Sequence, residues 1–295
     1  MLLLGSVVQE SYYRGHRSAK NVHMTQKITP RCALITGASS GIGLSLAREF
    51  SRRGWQVALL ARRIDRLEEL AAELRAAGGQ ASAHRGDVNV DGDVAGVVTG
   101  LTRQGLAPSI VVANAGFGVV GNARRLTMDD YRRQFEPNVF GVIRTLHESI
   151  DALEVTRGRF VIMGSVAAYL SSAGGSAYAM SKFAARALAE ALHGDLRAAG
   201  VGCTLISPGF VDSDIRRVDN LGGLHAGARD PVPEWLRMRA DQAARVMVRG
   251  ILAGRREVIV TFHGKIIIFF ARHFPRFTRW LLLRAGQKAR PEPTA

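Results

Sequence analysis

Cysteine is scarce in this sequence, and neither end of the chain has a long apolar run. Only two cysteines, Cys32 and Cys203, occur among 295 residues, and each lies in a short apolar run. This count excludes the disulfide-rich class of secreted domain, so we expect two buried free thiols. Near the C-terminus the longest apolar run covers residues 266–271, whereas a helix that spans a bilayer needs about 20 apolar residues. The apolar start at residues 2–4 follows no basic region, which excludes a typical signal peptide.

Acidic residues are also few, with 25 Asp and Glu against 40 Lys and Arg and a formal net charge of +15. Most of the positive excess lies at the two ends, in residues 1–31 and residues 265–295. No motif of a base-contacting protein accompanies this charge, so nucleic acid is not an expected partner. An anionic membrane surface suits the basic C-terminal segment better. The alternative is that both charged ends are simply solvated.

Short apolar runs alternate with helical patterns through the middle of the chain. Continuously apolar strands separated by helices predict a parallel sheet that is covered on both faces. We therefore predict an α/β fold with a doubly wound, seven-stranded parallel sheet of the Rossmann type, forming a single domain over residues 28–263. Residues 1–27 are expected to be a disordered extension, and 264–295 a basic amphipathic extension. The predicted strands are 32–36, 55–60, 81–84, 109–113, 159–164, 201–207 and 256–261.

The first apolar run ends in a glycine-rich octet that opens an amphipathic stretch, Thr36-Gly37-Ala38-Ser39-Ser40-Gly41-Ile42-Gly43. Glycine is needed where the backbone approaches a pyrophosphate, because a side chain would block that approach. The first amides of the following helix have no partner within it and lie at its positive end. The octet therefore predicts a phosphate site, although a glycine turn without a ligand is the alternative.

Further motifs follow the octet in a recognisable order and spacing: Asp87, Asn114-Ala115-Gly116, Asn138, Ser165 and Tyr178-x-x-x-Lys182. With them, the chain resembles the short-chain dehydrogenase/reductase family over residues 32–213. Members of that family move hydride between a nicotinamide cofactor and a carbonyl or alcohol. The resemblance implies a small-molecule substrate and a homo-oligomer, either a dimer or a tetramer. It implies no metal site.

The resemblance also implies which residues bind the cofactor. It assigns contacts to Gly37, Ser39, Ser40, Gly41, Ile42, Gly43, Arg62, Arg63, Asp87, Val88, Asn114, Ala115, Gly116, Tyr178, Lys182, Pro208, Gly209, Val211 and Ser213. NAD-preferring members place an acid at the end of the second strand, whereas this chain has Arg62-Arg63, which suits the 2′-phosphate of NADP. We predict a preference for NADP(H), with NAD(H) as the second cofactor. The alternative is that both arginines are merely solvated, and Ser40 stands where many NADP-dependent relatives have a basic residue.

Tyr178 and Lys182 are four residues apart, so both project from one face of a helix. A lysine cation close to a tyrosine lowers the pKa of the phenol, which then becomes a usable acid or base. Ser165 lies where its hydroxyl would hydrogen-bond the substrate oxygen. By the resemblance, Asn138 completes the catalytic set by holding a water that links the lysine to solvent, with Pro137 kinking the backbone beside it.

Two segments lie outside the common pattern. Residues 212–234 lack periodicity, and the resemblance places a substrate-covering lid there. In the C-terminal segment, Phe270, Phe274, Phe277 and Leu281 share one helical stripe, and Arg272, Arg276 and Arg279 share another. Residues 265–290 therefore suit peripheral contact with a membrane interface. Packing on the domain or on a second subunit is the alternative, and Pro275 is expected to break or kink the helix in either case.

Together these observations predict an oxidoreductase that transfers hydride between NADP(H) and a carbonyl or secondary alcohol. The apolar lid and tail favour a hydrophobic, lipid-like ketone as the substrate. The expected location is the cytoplasm, with peripheral attachment to the inner face of a membrane. The competing class is a cofactor-binding, membrane-associated scaffold or redox sensor without turnover.

Overall fold

The centre of the protein is a parallel β-sheet whose strands alternate with helices along the chain. A computed structural model describes residues 31–221, 223, 227, 230 and 232–288. The strands are β1 (Cys32–Thr36), β2 (Gln56–Ala61), β3 (Gln80–Arg85), β4 (Ile110–Ala113), β5 (Arg159–Met163), β6 (Gly202–Ser207) and β7 (Glu257–Ile259). Every neighbouring pair is parallel, in the order β3-β2-β1-β4-β5-β6-β7. This confirms the predicted doubly wound, seven-stranded sheet of a single Rossmann-like domain.

Helices cover both faces of the sheet. They are α1 (Gly41–Arg52), α2 (Ile64–Ala76), α3 (Asp93–Arg103), α4 (Met128–Phe135), α5 (Gly141–His147), α6 (Ile150–Thr156), α7 (Ser176–Asp195), α8 (Ala240–Leu252), α9 (Phe262–His273) and α10 (Pro275–Lys288). One core layer joins the sheet to α1, α2 and α8, and the other joins it to α3, α5, α6 and α7. Burial on both faces explains why strands such as β1 are apolar at nearly every position.

The strand order places the candidate site. From β1 the chain continues outward to β2 and β3 on one side, and then crosses to β4 on the other side of β1. In such sheets the crevice at the carboxyl ends of the strands, where the order reverses, is the usual ligand site. The glycine-rich octet follows β1, and the segments of Asn114 and Ser165 follow β4 and β5, so all three reach this crevice.

Two predicted boundaries move by a few residues. The strand predicted for 256–261 is the shorter β7, because Thr261 already caps α9 by accepting a hydrogen bond from the Gly264 amide at 3.1 Å. Since α9 begins at Phe262, the predicted end of the domain at residue 263 falls inside this helix. Buried Ile268, 1% exposed, packs the helix onto the domain.

The two cysteines and the break between the C-terminal helices agree with the sequence-based predictions. Cys32 and Cys203 are buried and free, and burial raises the pKa of each thiol to about 12. Proline starts α10 at residue 275 and separates it from α9, which is the predicted break. Among the described residues, no helix has the length and apolar character to cross a membrane. The predicted extension over residues 1–27 lies outside the described part of the chain.

Candidate active site

The glycine-rich turn forms a tight cradle between β1 and α1. Gly37 and Gly41 have φ values of 65° and 55°, which glycine adopts without strain. A Cβ on Gly43 would lie 2.4 Å from the Gly37 carbonyl oxygen, so the backbone there has no space for a side chain. The first bond of the helix is donated by the Leu44 amide to the Ser40 carbonyl at 3.2 Å. The amides before it precede this ladder at the positive end of α1, which fits an anionic phosphate.

Two arginines at the end of β2 lie beside this turn. Arg63 donates to the Ser39 and Ser40 hydroxyls from one guanidinium nitrogen, at 3.0 and 3.2 Å. Arg62 lies 3.9 Å from the Asp87 carboxylate and is largely exposed. A positive group therefore does stand over Ser40, although it comes from the second strand and not from the turn itself.

Asn114 joins the ends of β1 and β4. Its side-chain amide donates to the carbonyls of Thr36 and Gly37, at 2.9 and 3.3 Å. The Thr36 hydroxyl in turn accepts from the amides of Asn114 and Ala115, both at 3.0 Å. These bonds hold the glycine turn against the segment after β4. A Cβ on Gly37 would lie 2.8 Å from the Ala115 Cα, so this contact is a close one.

Asn138 is buried, 1% exposed, in a single turn of π-helix over Glu136–Phe140. Its side chain accepts from the Phe117 amide and donates to the Phe117 carbonyl, at 3.2 and 3.1 Å, and it donates to the Ser181 hydroxyl at 3.1 Å. The expected distortion near Pro137 is thus a local π-turn, which is frequent at functional sites. Asn138 fixes the segment after β4 to the helix of Tyr178.

Gln134, which was not predicted as a site residue, also holds the segment after β4 in place. Its buried side chain donates to the Phe117 carbonyl at 2.8 Å and accepts from the Val119 amide at 2.5 Å. It lies four residues before Asn138, so the two amides face the same segment. That spacing of two amide side chains was the only local signal in the sequence.

Ser165 and Tyr178 meet at the carboxyl edge of the sheet. The Ser165 hydroxyl oxygen accepts from the Ala167 amide at 3.1 Å, which caps the 3₁₀-helix Val166–Ala168. The Ser165 hydroxyl faces the Tyr178 phenol, and its proximity lowers the pKa of that phenol. The segment after β4 closes over the phenol ring, since a Cβ on Gly118 would lie 3.4 Å from a ring carbon of Tyr178.

Lys182 is buried one turn further along α7. Its ammonium donates to the Met163 carbonyl at 2.8 Å and lies 5.7 Å from the centroid of the Tyr178 ring. Burial lowers the pKa of Lys182 to about 8. The two side chains do share one face of α7, as the spacing predicts.

The direction of the Tyr178 pKa differs from the one expected from the sequence. Burial raises the pKa of the phenol, and this outweighs the opposing effects of the Ser165 hydroxyl and the Arg216 charge. The sequence showed a lysine nearby, but it did not show that both groups lose their solvation together. In the folded site, desolvation dominates.

The turn after β6 is held by backbone bonds on both sides. The Val166 amide donates to the Pro208 carbonyl at 2.8 Å, which ties the turn to the Ser165 segment. The Met238 amide donates to the Phe210 carbonyl at 2.9 Å. The Val211 carbonyl accepts from the Arg216 guanidinium at 3.0 Å, and Ser213 also donates to it at 3.4 Å.

The predicted lid region, residues 212–234, is described in part, and several of its described residues bond to the segments around the site. Arg216 forms a two-point ion pair with Asp230, at 2.8 and 2.6 Å. Asn220 accepts from the Val120 amide at 3.0 Å and donates to the Val120 carbonyl at 2.9 Å. These bonds join the lid to the segment after β4. Arg216 was not predicted, and its place beside Tyr178 depends on how this loop folds back.

A surface groove of about 460 Å³ lies elsewhere. It is a groove between α4 and the outer face of α7, lined by Phe135, Ser171, Ser176, Ala179, Met180 and Phe183. We place the candidate site by the polar groups above and not by this groove, because Ser165 and Lys182 do not line it.

The fold and the glycine turn define a Rossmann-type nucleotide-binding protein, and comparison with known proteins specifies the family. The model of the family described as short chain dehydrogenase matches residues 31–222. An uncharacterized oxidoreductase of Myxococcus xanthus is 35% identical over 229 residues, covering 77% of this chain and 86% of the relative. A serine 3-dehydrogenase of Agrobacterium fabrum is 33% identical over 195 residues, covering 65% and 77%.

Among solved structures, an alcohol dehydrogenase from Thermococcus sibiricus in complex with 5-hydroxy-NADP superimposes with a TM-score of 0.68 at 30% identity. The match covers 78% of this chain and 95% of that one. The chain belongs to the short-chain dehydrogenase family, and it is an oxidoreductase of that family.

Proposed function

We propose that the protein is an NADP(H)-dependent carbonyl reductase that interconverts a ketone and a secondary alcohol. One observation supports this function above the others. Tyr178 faces the Ser165 hydroxyl and has the Lys182 ammonium 5.7 Å from its ring centroid, beside a glycine turn suited to a phosphate. These are an acid, an oxygen-orienting donor and a cation in one place, as carbonyl reduction requires.

Bound NADPH would supply the hydride that reduces the carbonyl carbon. In our mechanism the Tyr178 phenol gives its proton to the carbonyl oxygen as negative charge develops there. The Ser165 oxygen accepts from the Ala167 amide, and its hydroxyl hydrogen would be donated to the same substrate oxygen. Ser165 thereby orients the substrate and stabilises the developing charge.

Lys182 acts on Tyr178 and on the cofactor in this scheme. Its ammonium uses one donor on the Met163 carbonyl and has two left for the ribose hydroxyls. The positive charge beside the ring stabilises the phenolate that remains after proton transfer. Asn138 positions both groups indirectly, through Ser181 and the Phe117 backbone, and we propose that it also orders the water that returns a proton to Lys182.

We assign the cofactor's adenosine half to the glycine turn, Asp87, Val88 and the arginines after β2. Arg63 supports a preference for NADP(H), because it stands over the Ser39 and Ser40 hydroxyls, next to the phosphate-binding amides. A guanidinium and two hydroxyls together suit a 2′-phosphate. We assign the nicotinamide half to the segment after β4 and to the turn at Pro208, Gly209, Val211 and Ser213.

We propose a hydrophobic ketone as the substrate. The segment that closes over Tyr178 is Phe117-Gly118-Val119-Val120, and the one cation near the phenol among the described lid residues, Arg216, is already paired with Asp230. The Agrobacterium relative is named for a small polar amino acid. A panel of hydrophobic ketones alongside serine therefore separates the two substrate classes.

The experiment that tests the function is NADPH oxidation by purified protein over this panel, with two matched tyrosine variants. Tyr178→Phe should abolish turnover and leave NADPH binding nearly intact, since it removes the transferable proton and little contact surface. Tyr131→Phe removes a phenol that bonds only the Ser176 hydroxyl, at 2.9 Å, and should turn over normally. A scaffold or sensor without turnover would bind NADPH. No ketone of the panel would then support NADPH oxidation, either by the wild type or by a variant.

We also propose a homo-oligomer that uses the outer face of α7. Met180 and Phe183 are 50% and 43% exposed beside the groove described above, and Phe140 is 50% exposed nearby. Burial of such a contiguous apolar patch against a second copy is favourable. The molar mass in solution tests this directly, and a monomer at micromolar concentration would rule it out.

For the C-terminal helices we propose contact with an anionic membrane, at the inner face. The rings of Phe274, Phe270, Phe277 and Trp280 lie next to one another in that order, with neighbouring centroids 5.8, 6.4 and 5.9 Å apart, and each residue is 39–52% exposed. No acidic residue occurs from residue 258 to residue 291. Exposed aromatics and unopposed cations suit an anionic lipid interface. Arg272 differs from the expected arginine stripe, because it turns back to Glu257 at 2.9 Å.

A further inference from the structure

The first turn of α9 contacts the turn after β6 through a histidine. His263 accepts the Phe210 amide proton at its Nε2 atom, with a distance of 2.9 Å. The imidazole also stacks on the Phe210 ring, with centroids 5.3 Å apart and planes at 26°. Thr261, which caps α9, has its hydroxyl oxygen 3.1 Å from the same Nε2 atom.

The contact is close enough to restrict the backbone of the turn. A Cβ on Gly209 would lie 2.3 Å from the Thr261 hydroxyl oxygen and 2.5 Å from His263 Nε2. A side chain at residue 209 would therefore displace Thr261 or His263. Because Nε2 is an acceptor here, the neutral ring has its proton at Nδ1, and burial lowers the pKa of His263 in keeping with a neutral form.

The Phe210 amide is bound by a side chain of α9, and the Val211 carbonyl by the Arg216 side chain. The Pro208 and Phe210 carbonyls are both bound by backbone amides, from Val166 and Met238. A substitution at residue 263 therefore removes one restraint and leaves the others in place.

Helix α9 is also anchored at its far end, so His263 extends from a fixed support. Arg272 pairs with Glu257 at 2.9 Å and lies over the Tyr169 ring, 5.0 Å from its centroid. Tyr169 itself follows the Val166–Ala168 turn that begins at Ser165. Both ends of α9 thus contact segments that adjoin the candidate site.

We propose that His263 is a positioning residue for hydride transfer, which sets the backbone of the turn at Pro208–Val211 through the Phe210 amide. The proposal rests on the NADP(H) function above, in which that turn meets the nicotinamide. A misplacement of the turn by a fraction of an ångström would alter the nicotinamide position while the adenosine half stays bound. Geometric errors of this size are costly to rates.

Two substitutions separate the hydrogen bond from the bulk of the ring. His263→Leu keeps an apolar side chain without an acceptor, and His263→Gln restores an acceptor. We expect His263→Leu to lower kcat by about 10- to 100-fold and to leave the Kd of 2′,5′-ADP, which lacks the nicotinamide, within about twofold. His263→Gln should recover most of kcat. The matched control is His273→Leu, which removes an exposed histidine at the other end of α9 and should behave as wild type.

Amide hydrogen exchange gives a readout that does not depend on turnover. Exchange at the Phe210 amide should be slow in the wild type, fast in His263→Leu and slow again in His263→Gln. Fast exchange in the wild type would refute the hydrogen bond from the Phe210 amide to His263. This wild-type measurement can be made even if His263→Leu fails to fold. A wild-type kcat in His263→Leu, or a Kd for 2′,5′-ADP that rises together with that for NADPH, overturns the positioning role. Absence of any NADPH turnover in the wild type overturns the proposed function instead.

Discussion

Arg63 offers the sharpest test of cofactor choice, because its position over the serine pair makes a graded prediction possible. The change is Arg63→Ala, with NADPH and NADH compared side by side. The guanidinium reaches both Ser39 and Ser40, at 3.0 and 3.2 Å, so it lies where a 2′-phosphate would meet all three groups. NADH lacks that phosphate, so the substitution should reduce its binding affinity very little.

The magnitude follows from the exposure of the group. A hydrogen bond to a charged group contributes about 1.5–3 kcal/mol, but Arg63 is exposed and solvent screening favours the lower end of that range. We therefore expect the Kd of NADPH to rise by about tenfold, which corresponds to about 1.4 kcal/mol. Arg62→Ala should have a smaller effect of about threefold, because Asp87 lies 3.9 Å from the Arg62 guanidinium and offsets its charge.

Fluorescence titration with each cofactor measures these changes, and Arg66→Ala is the matched control. Arg66 is an exposed arginine in the first turn of α2 that pairs with Glu69 at 3.2 Å, away from the serine pair. In the wild type, NADPH should bind about 10- to 100-fold more tightly than NADH. Tighter binding of NADH by the wild type, or an equal loss of both cofactors in Arg63→Ala, would refute the role given to Arg63.

Two further predictions concern Lys182 and the tail. Burial lowers the pKa of Lys182 to about 8. We therefore expect kcat/KM for ketone reduction to fall as pH rises through about 8, because the ammonium is lost. Tyr178, whose pKa is raised, stays protonated over that range. Lys182→Met should lack this limb at a lower overall rate, and a flat wild-type profile between about pH 7 and 9.5 would exclude the assignment. In the tail, Phe277→Ser with Trp280→Ser should abolish co-sedimentation with phosphatidylserine vesicles, whereas Val155→Ser, which alters an 82% exposed residue outside the tail, should not. Wild-type binding should weaken in high salt, and a protein that ignores vesicles but changes mass when the tail is altered would instead use this surface between subunits.

The features that were predictable from the sequence are those encoded by local patterns. Strands covered on both faces must be apolar throughout, so β1 and β4 stand out as short continuous runs. The turn between β1 and α1 requires backbone conformations that favour glycine, as at Gly37. Tyr178 and Lys182 share a helix face by spacing alone. Each inference depends on residues close together in the chain.

The features that were not predictable depend on contacts between distant segments. Phe210 and His263 are 53 residues apart, and a lone histidine near a helix start has no pattern that identifies its partner. Arg63 and Ser40 were both noted, but their contact follows from how the end of β2 lies beside the glycine turn. The pKa of Tyr178 illustrates the same limit, because the balance between burial and charge is a property of the folded site.

Helix α9 connects the proposed lipid-facing surface with the turn at Phe210, and this determines where the tail can be removed. An end near Gly264 would delete buried Ile268 and the Arg272–Glu257 pair, and so would disturb the support of His263. A chain that ends at His273 keeps Ile268, the Arg272–Glu257 pair and the support of His263, and it lacks α10 with its exposed aromatic residues. We therefore expect a chain ending at His273 to lose vesicle binding and retain kcat, whereas one ending at Gly264 loses both. If the chain ending at His273 also loses kcat, with its oligomeric mass unchanged, then α10 itself supports the active site, and vesicle binding and turnover cannot be assigned to separate helices.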